Sequence, residues 1–200
     1  CESIDDLEKW LFEVNELSAA LDEEGSKRYI AMTCHTSNDE AKGAYLGFVE
    51  NIEPGTKERM FKLAKLFVEH PCRGDLPKER YAVLDRDWAS MVELFREDNV
   101  PLETEEAKLG QQYQELMGGL TVEFQGEEKT LVQMGVCQQE NDRELRQEAW
   151  ELVTARRLEV ADECDEFIEK MIALRIKMAG NAGFENYRDF KHLKKGRFDY

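Results

Sequence analysis

The sequence predicts a mainly α protein, an extended multi-helix body carrying a single small β-hairpin at about residues 120–131. Three observations carry this expectation. Apolar residues recur every three or four positions through most of the 200 residues. The longest such pattern, Asn141 to Gly180, contains no proline. The period drops to two at one place only, where Leu120, Val122 and Phe124 alternate with Thr121, Glu123 and Gln125 before Gly126 and the run Lys129, Thr130 and Leu131.

The stretch from Asn141 to Gly180 organises the rest. Leu145, Ala149, Leu152, Val160, Cys164, Phe167, Met171, Leu174 and Met178 form a stripe with Arg156 as its one interruption. One long helix over about 141–180 is expected, roughly 55 to 60 Å at a rise of about 1.5 Å per residue. Asn141 and Asp142 can cap its start, and Gly180 followed by Gly183 gives a stop. A second apolar row, Ile168, Ile172, Ile176 and Ala179, predicts that the C-terminal half is buried on two sides.

Taken in order, Ser3 caps a first helix with the apolar face Leu7, Trp10, Leu11, Val14, Leu17 and Leu21, which Gly25 and Ser26 are expected to break. A second segment runs from Lys27 to about Cys34. Ser37 and Glu40 have capping-box spacing before Ala41, Ala44, Tyr45, Phe48 and Val49. Pro54 and Gly55 mark a turn, Thr56 opens a well-buried helix, and Pro71 stops it. From about Lys78 a further helix carries Tyr81, Leu84, Trp88, Met91, Val92 and Phe95 to an end at Pro101, and Thr104 opens another, closed by Gly118 and Gly119. A short helix from about Leu131 to Cys137 follows the hairpin, and one more begins after Gly183.

Composition narrows the function. With 43 acidic against 27 basic side chains the net charge is -16, which argues against a nucleic-acid surface, since that affinity rests on neutralising phosphates. Cys1, Cys34, Cys72, Cys137 and Cys164 lack zinc-site spacing, and an odd, scattered set reads as reduced thiols and a cytoplasmic setting. No apolar run approaches membrane-span length, so no membrane partner is expected. The chain begins at Cys1 without an initiating Met and stops at Tyr200 after a dense segment, so a piece of a longer protein is expected.

No residue set supplies a reaction. His35, His70 and His192 form no i, i+4 ligand pair, and Cys34 beside His35 is expected to be a buried thiol next to a partly exposed imidazole. The acidic groups Glu103, Glu105 and Glu106, and Asp162, Glu163, Asp165 and Glu166, lack the Glu-x-x-His partners of a di-iron site and read as solvated faces. Arg188, Lys191, Lys194, Lys195 and Arg197 reverse the charge balance locally; they can receive a carboxylate, or be solvated or paired with the protein's own acids. Phe184, Tyr187, Phe190, Phe198 and Tyr200 have the spacing of core aromatics, with a binding wall as the alternative. No catalytic or metal-ligating residue is therefore expected, and no spacing marks a substrate-binding residue.

Several pieces, in order, resemble a known family. They are Leu94-Phe95-Arg96-Glu97-Asp98-Asn99-Val100-Pro101-Leu102; Leu116-Met117-Gly118-Gly119-Leu120-Thr121-Val122 with Gly126 and Lys129-Thr130-Leu131; Asp142-Arg143 with Arg146, Glu148, Ala149 and Trp150; Asn181-Ala182-Gly183-Phe184-Glu185-Asn186-Tyr187-Arg188-Asp189-Phe190; and Arg197-Phe198-Asp199-Tyr200. Together they resemble the N-terminal part of an oligoendopeptidase F-type zinc metallopeptidase of the thimet-oligopeptidase-like clan. The resemblance implies residues 1–103 as an N-terminal helical region and 104–200 as the family's helical region with hairpin and long helix, leading into a catalytic domain absent from this sequence. In that family an H-E-x-x-H motif and a later Glu hold zinc, and the motif Glu is the general base. The motif is missing here, so no catalytic or metal residue carries over and zinc is expected only in the missing domain.

The resemblance thus implies the non-catalytic arm of an oligopeptidase, inactive alone, walling a channel for short peptides and partnered by its own catalytic domain. The alternative is a free-standing acidic helical interaction module that takes an amphipathic partner helix. On the first reading, uncovered apolar surface on the C-terminal half of the 141–180 stretch and on the aromatics 184–200 is expected to favour self-association.

Overall fold

A computed structural model describes residues 3–198. Its element order is α1 (Ile4–Cys34), α2 (Asp39–Asn51), α3 (Glu53–Val68), a 3-10 turn (Pro71–Asp75), α4 (Lys78–Leu94), α5 (Asn99–Gly118), β1 (Thr121–Phe124), β2 (Glu127–Thr130), α6 (Leu131–Cys137), α7 (Arg143–Leu158), α8 (Ala161–Asn181) and α9 (Tyr187–Lys194). The mainly α class and the one small hairpin stand as expected. Cys1, Asp199 and Tyr200 lie outside the described residues.

Four boundaries differ from the sequence reading, each for a physical reason. The span 141–180 is two helices rather than one long one. Val160 leaves helical dihedrals at φ -109° and ψ 13°, and its side chain is buried. The stripe that suggested one helix is two stripes with different partners. Ala149 and Val153 of α7 pack with Val122, Phe124 and Met134 of the hairpin and α6, whereas Met178 and Ala179 of α8 pack with Leu94 and Phe190. A straight rod cannot face both, and no proline or glycine marks the bend.

Gly25 does not break α1, which runs unbroken from Ile4 to Cys34. A Cβ there would meet the Phe48 ring at 2.9 Å, so this glycine lets α2 approach α1 closely. Pro54 and Pro101 end nothing either: both sit in first turns, of α3 and α5, where the missing N–H has no intrahelical partner to lose. The Thr56 hydroxyl donates to the Ile52 carbonyl and Thr104 to that of Val100, so neither is a cap. The division between 103 and 104 falls inside α5.

Helices α1 to α5 form the body, with Leu7, Leu11, Phe67 and Leu76 as one core. Helix α8 runs antiparallel along α5: Arg175 meets Glu106, Met171 lies over Gly110, and Met178 reaches Asn99. It ends in a Schellman motif at Gly183, φ 87°, where Phe184 N–H bonds the Ala179 carbonyl at 2.9 Å and Gly183 N–H that of Gly180 at 3.0 Å. The hairpin closes through Gln125 and Gly126, both at positive φ, the pattern of a two-residue type I′ turn, with Phe124 opposite Glu127. Thr130 and Gln133 then form a capping box on α6.

The two-sided burial expected of the C-terminal half of the 141–180 stretch is found only at its end. Ala179 is buried, but Ile168, Ile172 and Ile176 are 51, 47 and 64 % exposed.

Two helical glycines give opposite expectations. Gly43 in α2 has nothing within 4 Å of a built Cβ, so Gly43→Ala raises stability by about 0.5–1 kcal/mol. Gly25→Val lowers it by driving a branched side chain into Phe48. Urea unfolding of the two variants checks both signs; equal shifts in one direction would mean that the Gly25 contact is unimportant.

Candidate functional site

The corner where α4 turns into α5 is built around a buried amide. Asn99 is 3 % exposed; its Nδ2 donates to the Met178 carbonyl at 3.0 Å, and its Oδ1 accepts from Asn181 Nδ2 at 2.8 Å. Arg96 completes the corner, its Nε donating to the Asn181 carbonyl at 3.2 Å and Nη2 to that of Ala182 at 3.3 Å. The Asn181 and Ala182 carbonyls close α8, where no further helical N–H follows and partial negative charge gathers, so a guanidinium suits them. The segment 94–102 and the segment 181–190, read separately in the sequence, meet here.

Beside this corner α3, α4, α5 and α9 enclose a cavity of about 630 Å³, in the range that takes small ligands. Met60, Met91, Leu94, Phe190 and Leu193 supply apolar wall. Lys57, Glu103, Lys194 and Lys195 supply the charged side. Glu103 is the hub, accepting from Lys57 at 3.0 Å and pairing with Lys194 as well. Burial alone would raise the Glu103 pKa. The ammonium of Lys194 and then that of Lys57 outweigh it, so the carboxyl titrates below its usual range. Lys194 also lies 5.7 Å from the centre of the Phe190 ring.

Helix α9 delivers its two lysines through a second Schellman motif. Arg197 N–H bonds the His192 carbonyl at 3.1 Å, Gly196 N–H bonds that of Leu193 at 2.9 Å, and Gly196 takes φ 63°. The reversal places Phe198 back at the cavity edge, where Arg86 lies over its ring at 4.2 Å.

The other sequence candidates disperse. His35 is the C-cap of α1, His70 caps the 3-10 turn with its Nδ1 accepting from Cys72 N–H at 3.2 Å, and His192 is on α9. Cys34 is exposed rather than buried, since it ends α1 beyond the packed face that holds Met32; it, Cys72, Cys137 and Cys164 are free thiols. Glu103 and Glu106 are ion-paired rather than merely solvated, because α9, α3 and α8 bring cations from far along the chain. Phe184, Tyr187 and Phe190 pack as core aromatics. Arg188 pairs with Asp189.

Zinc does not fit these residues. Among the described residues no group of three or more His, Cys, Asp or Glu could hold a metal ion, and no H-E-x-x-H is present in the sequence. No helix is long and apolar enough to cross a membrane among the described residues.

No protein-family model matches the sequence, and no curated protein matches it. Solved structures do, over the whole chain. An oligoendopeptidase F crystal structure superposes with a TM-score of 0.93 at 24 % identity, and an oligoendopeptidase F from Bacillus anthracis with 0.93 at 23 %. PZ peptidase A with an inhibitor gives 0.93 at 24 %. The chain has the fold of part of each of these three structures. It spans about a third of their length, covering 35, 37 and 35 % of the three chains.

Pattern reading singles out neither Lys57 nor Asn99, and it takes Glu103 as part of a solvated face. No local spacing announces them, because their partners are 46 to 91 residues away.

The Glu103 cluster makes stability depend on pH. A carboxyl whose folded pKa lies below its unfolded value, about 4.3, contributes stability that is fully present above that value and is lost as pH falls through the lower one. Thermal melts at pH 6 and pH 3 are expected to show Glu103→Gln destabilised relative to wild type at pH 6, with the gap narrowing by pH 3. A gap independent of pH would remove the ion-pair account.

Proposed function

We propose that this chain is the non-catalytic N-terminal helical part of a zinc-dependent oligopeptidase, a metalloendopeptidase for short peptides, and that it forms one wall of the substrate channel. The observation that carries the proposal is the match of the whole chain, at a TM-score of 0.93, to about a third of an oligoendopeptidase F chain. The family segments have matching work in the fold: Arg96, Asn99 and Asn181 form the buried corner, and Gly126 and Gly183 take the positive φ their turns need. In this reading zinc and the general base belong to the catalytic part, and this chain alone turns nothing over.

The exposed row Ile168, Ile172 and Ile176 fits a face that a further domain covers. Residues Val132 and Val136 of α6, 86 and 64 % exposed, lie on another uncovered face.

Two measurements test the proposal. A quenched peptide incubated with the purified chain and equimolar zinc is expected to stay intact, while the same chain extended to the length of its structural relatives cleaves it. Chelator-sensitive turnover by the 200-residue chain would overturn the assignment. In sedimentation the chain alone is expected to self-associate, and Ile172→Lys to disperse it without lowering the melting temperature, since the side chain is half exposed. A monomeric wild type would argue that this row needs no cover.

A further inference from the structure

We infer that the cavity between α3, α4, α5 and α9 binds the C-terminal end of a short peptide, holding its free carboxylate at Lys195 and its apolar last side chain among Met60, Met91 and Leu193. The site is separate from any zinc chemistry and needs only what this chain contains.

Charge gives the direction. The protein carries -16 overall, yet this cavity is lined by four cations, Lys57, Arg96, Lys194 and Lys195, against the two carboxylates Asp87 and Glu103. Three of the four cations are committed. Arg96 is spent on backbone carbonyls, and Lys57 and Lys194 hold Glu103. Lys195, exposed at the C-cap of α9, makes no ion pair among the described residues, so an anion can reach it without breaking an existing pair. A carboxylate bound there makes a charge-assisted hydrogen bond, in a cavity that Lys57 and Lys194 also line.

The walls choose the rest of the ligand. Thioether and leucyl side chains accommodate an apolar group of variable shape, and methionines are adaptable in such a role. The cavity also presents acceptors, the Asp87 carboxylate and the Ser90 hydroxyl, and Ser90 makes no hydrogen bond among the described residues. A peptide brings N–H donors to those acceptors. A fatty acid would bring none and would strip water from them without compensation. Asp87 already faces Arg86 at 4.0 Å, so the mix of one available cation, one unspent hydroxyl at Ser90 and apolar wall favours a peptide end over a simple lipid carboxylate.

The test uses the 200-residue chain and three probes followed by calorimetry and amide NMR shifts: acetyl-Ala-Ala-Leu with a free carboxylate, its C-terminal amide, and decanoate. The free acid is expected to bind with shifts on α3, α4 and α9, the amide at least tenfold more weakly, and decanoate more weakly than the acid. Lys195→Gln is expected to weaken the acid at least fivefold while leaving the amide unchanged and the melting temperature within error. Met91→Asp, on a side chain 36 % exposed, weakens both peptide probes by placing a charge in the apolar wall. Equal binding of acid and amide, tighter binding of decanoate, shifts elsewhere on the surface, or no binding at millimolar probe would each overturn the inference. None of those results bears on whether the extended chain cleaves peptides, so the two readings fail separately.

Discussion

The constraint on which the rest depends is the need to satisfy the last carbonyls of α8 where that helix is buried against α5. A helix end leaves several carbonyls without intrahelical donors, and a buried one cannot turn to water. Here the donors come from the amide of Asn99 and the guanidinium of Arg96 on one side, and from the Gly183 turn on the other. Because Asn99 sits at the start of α5, this set of bonds fixes where α8 ends on α5 and in which register the two run antiparallel. Asn181, the last residue of α8, closes the loop by donating back to Asn99. An apolar residue at 99 would leave the Met178 carbonyl with only its backbone partner, Ala182 N–H at 3.2 Å, and would take the acceptor from the part-buried Asn181 amide, a loss of about 0.5–1.5 kcal/mol for each hydrogen bond. The corner also positions everything that follows: from Gly183 the chain can only lead α9 back over Leu94 and Leu102, and α9 carries the lysines to the cavity.

Class and hairpin were legible because they rest on local periodicity. Alternation at 120–124 and Gly126 gave the hairpin, and helical spacing gave most of the helices. Boundaries were less legible, for reasons that differ residue by residue. Gly25 looks like a breaker in one dimension, but in three it is the space that the Phe48 ring needs. Pro54 and Pro101 look like stops, yet a first-turn proline forfeits no hydrogen bond, and nothing local distinguishes a proline that follows a helix from one that opens the next. The bend at Val160 is set by which neighbours α7 and α8 face, information that the stripe itself does not contain.

The cavity was less legible still. Its parts come from α3, α4, α5 and α9, and the central pair, Glu103 with Lys194, joins residues 91 apart. The sequence showed the basic cluster around Lys194 and allowed it a carboxylate partner; it did not show which acid. Glu103 belongs to a run that looks solvated because three of four neighbouring residues are acidic, and only the tertiary fold separates Glu103 and Glu106, each facing a cation, from the exposed Glu105. The segments that carried the family resemblance, by contrast, turn out to be those with backbone-specific work: Asn99, Asn181, Gly126 and Gly183 each satisfy a bond or a dihedral that few other residues can.

The exposed isoleucines and the net charge pull in opposite directions, and their balance decides what the isolated chain does in solution. Ile168, Ile172 and Ile176 lie one turn apart on α8, so a second copy could bury them as a continuous strip, gaining about 25 cal/mol for each Å² of apolar surface removed from water. The same helix carries Asp162, Glu163, Asp165 and Glu166 at its start, all exposed, within a chain of charge -16. Two such surfaces brought face to face repel, and the repulsion is long-ranged only while the Debye length, about 10 Å at 0.1 M salt, exceeds their separation. Raising the ionic strength therefore weakens the opposing term and leaves the apolar one intact. Under the proposed reading a covering domain would escape this conflict, because its surface need not carry the same acids, whereas self-association of the isolated chain has to overcome it and so strengthens with salt.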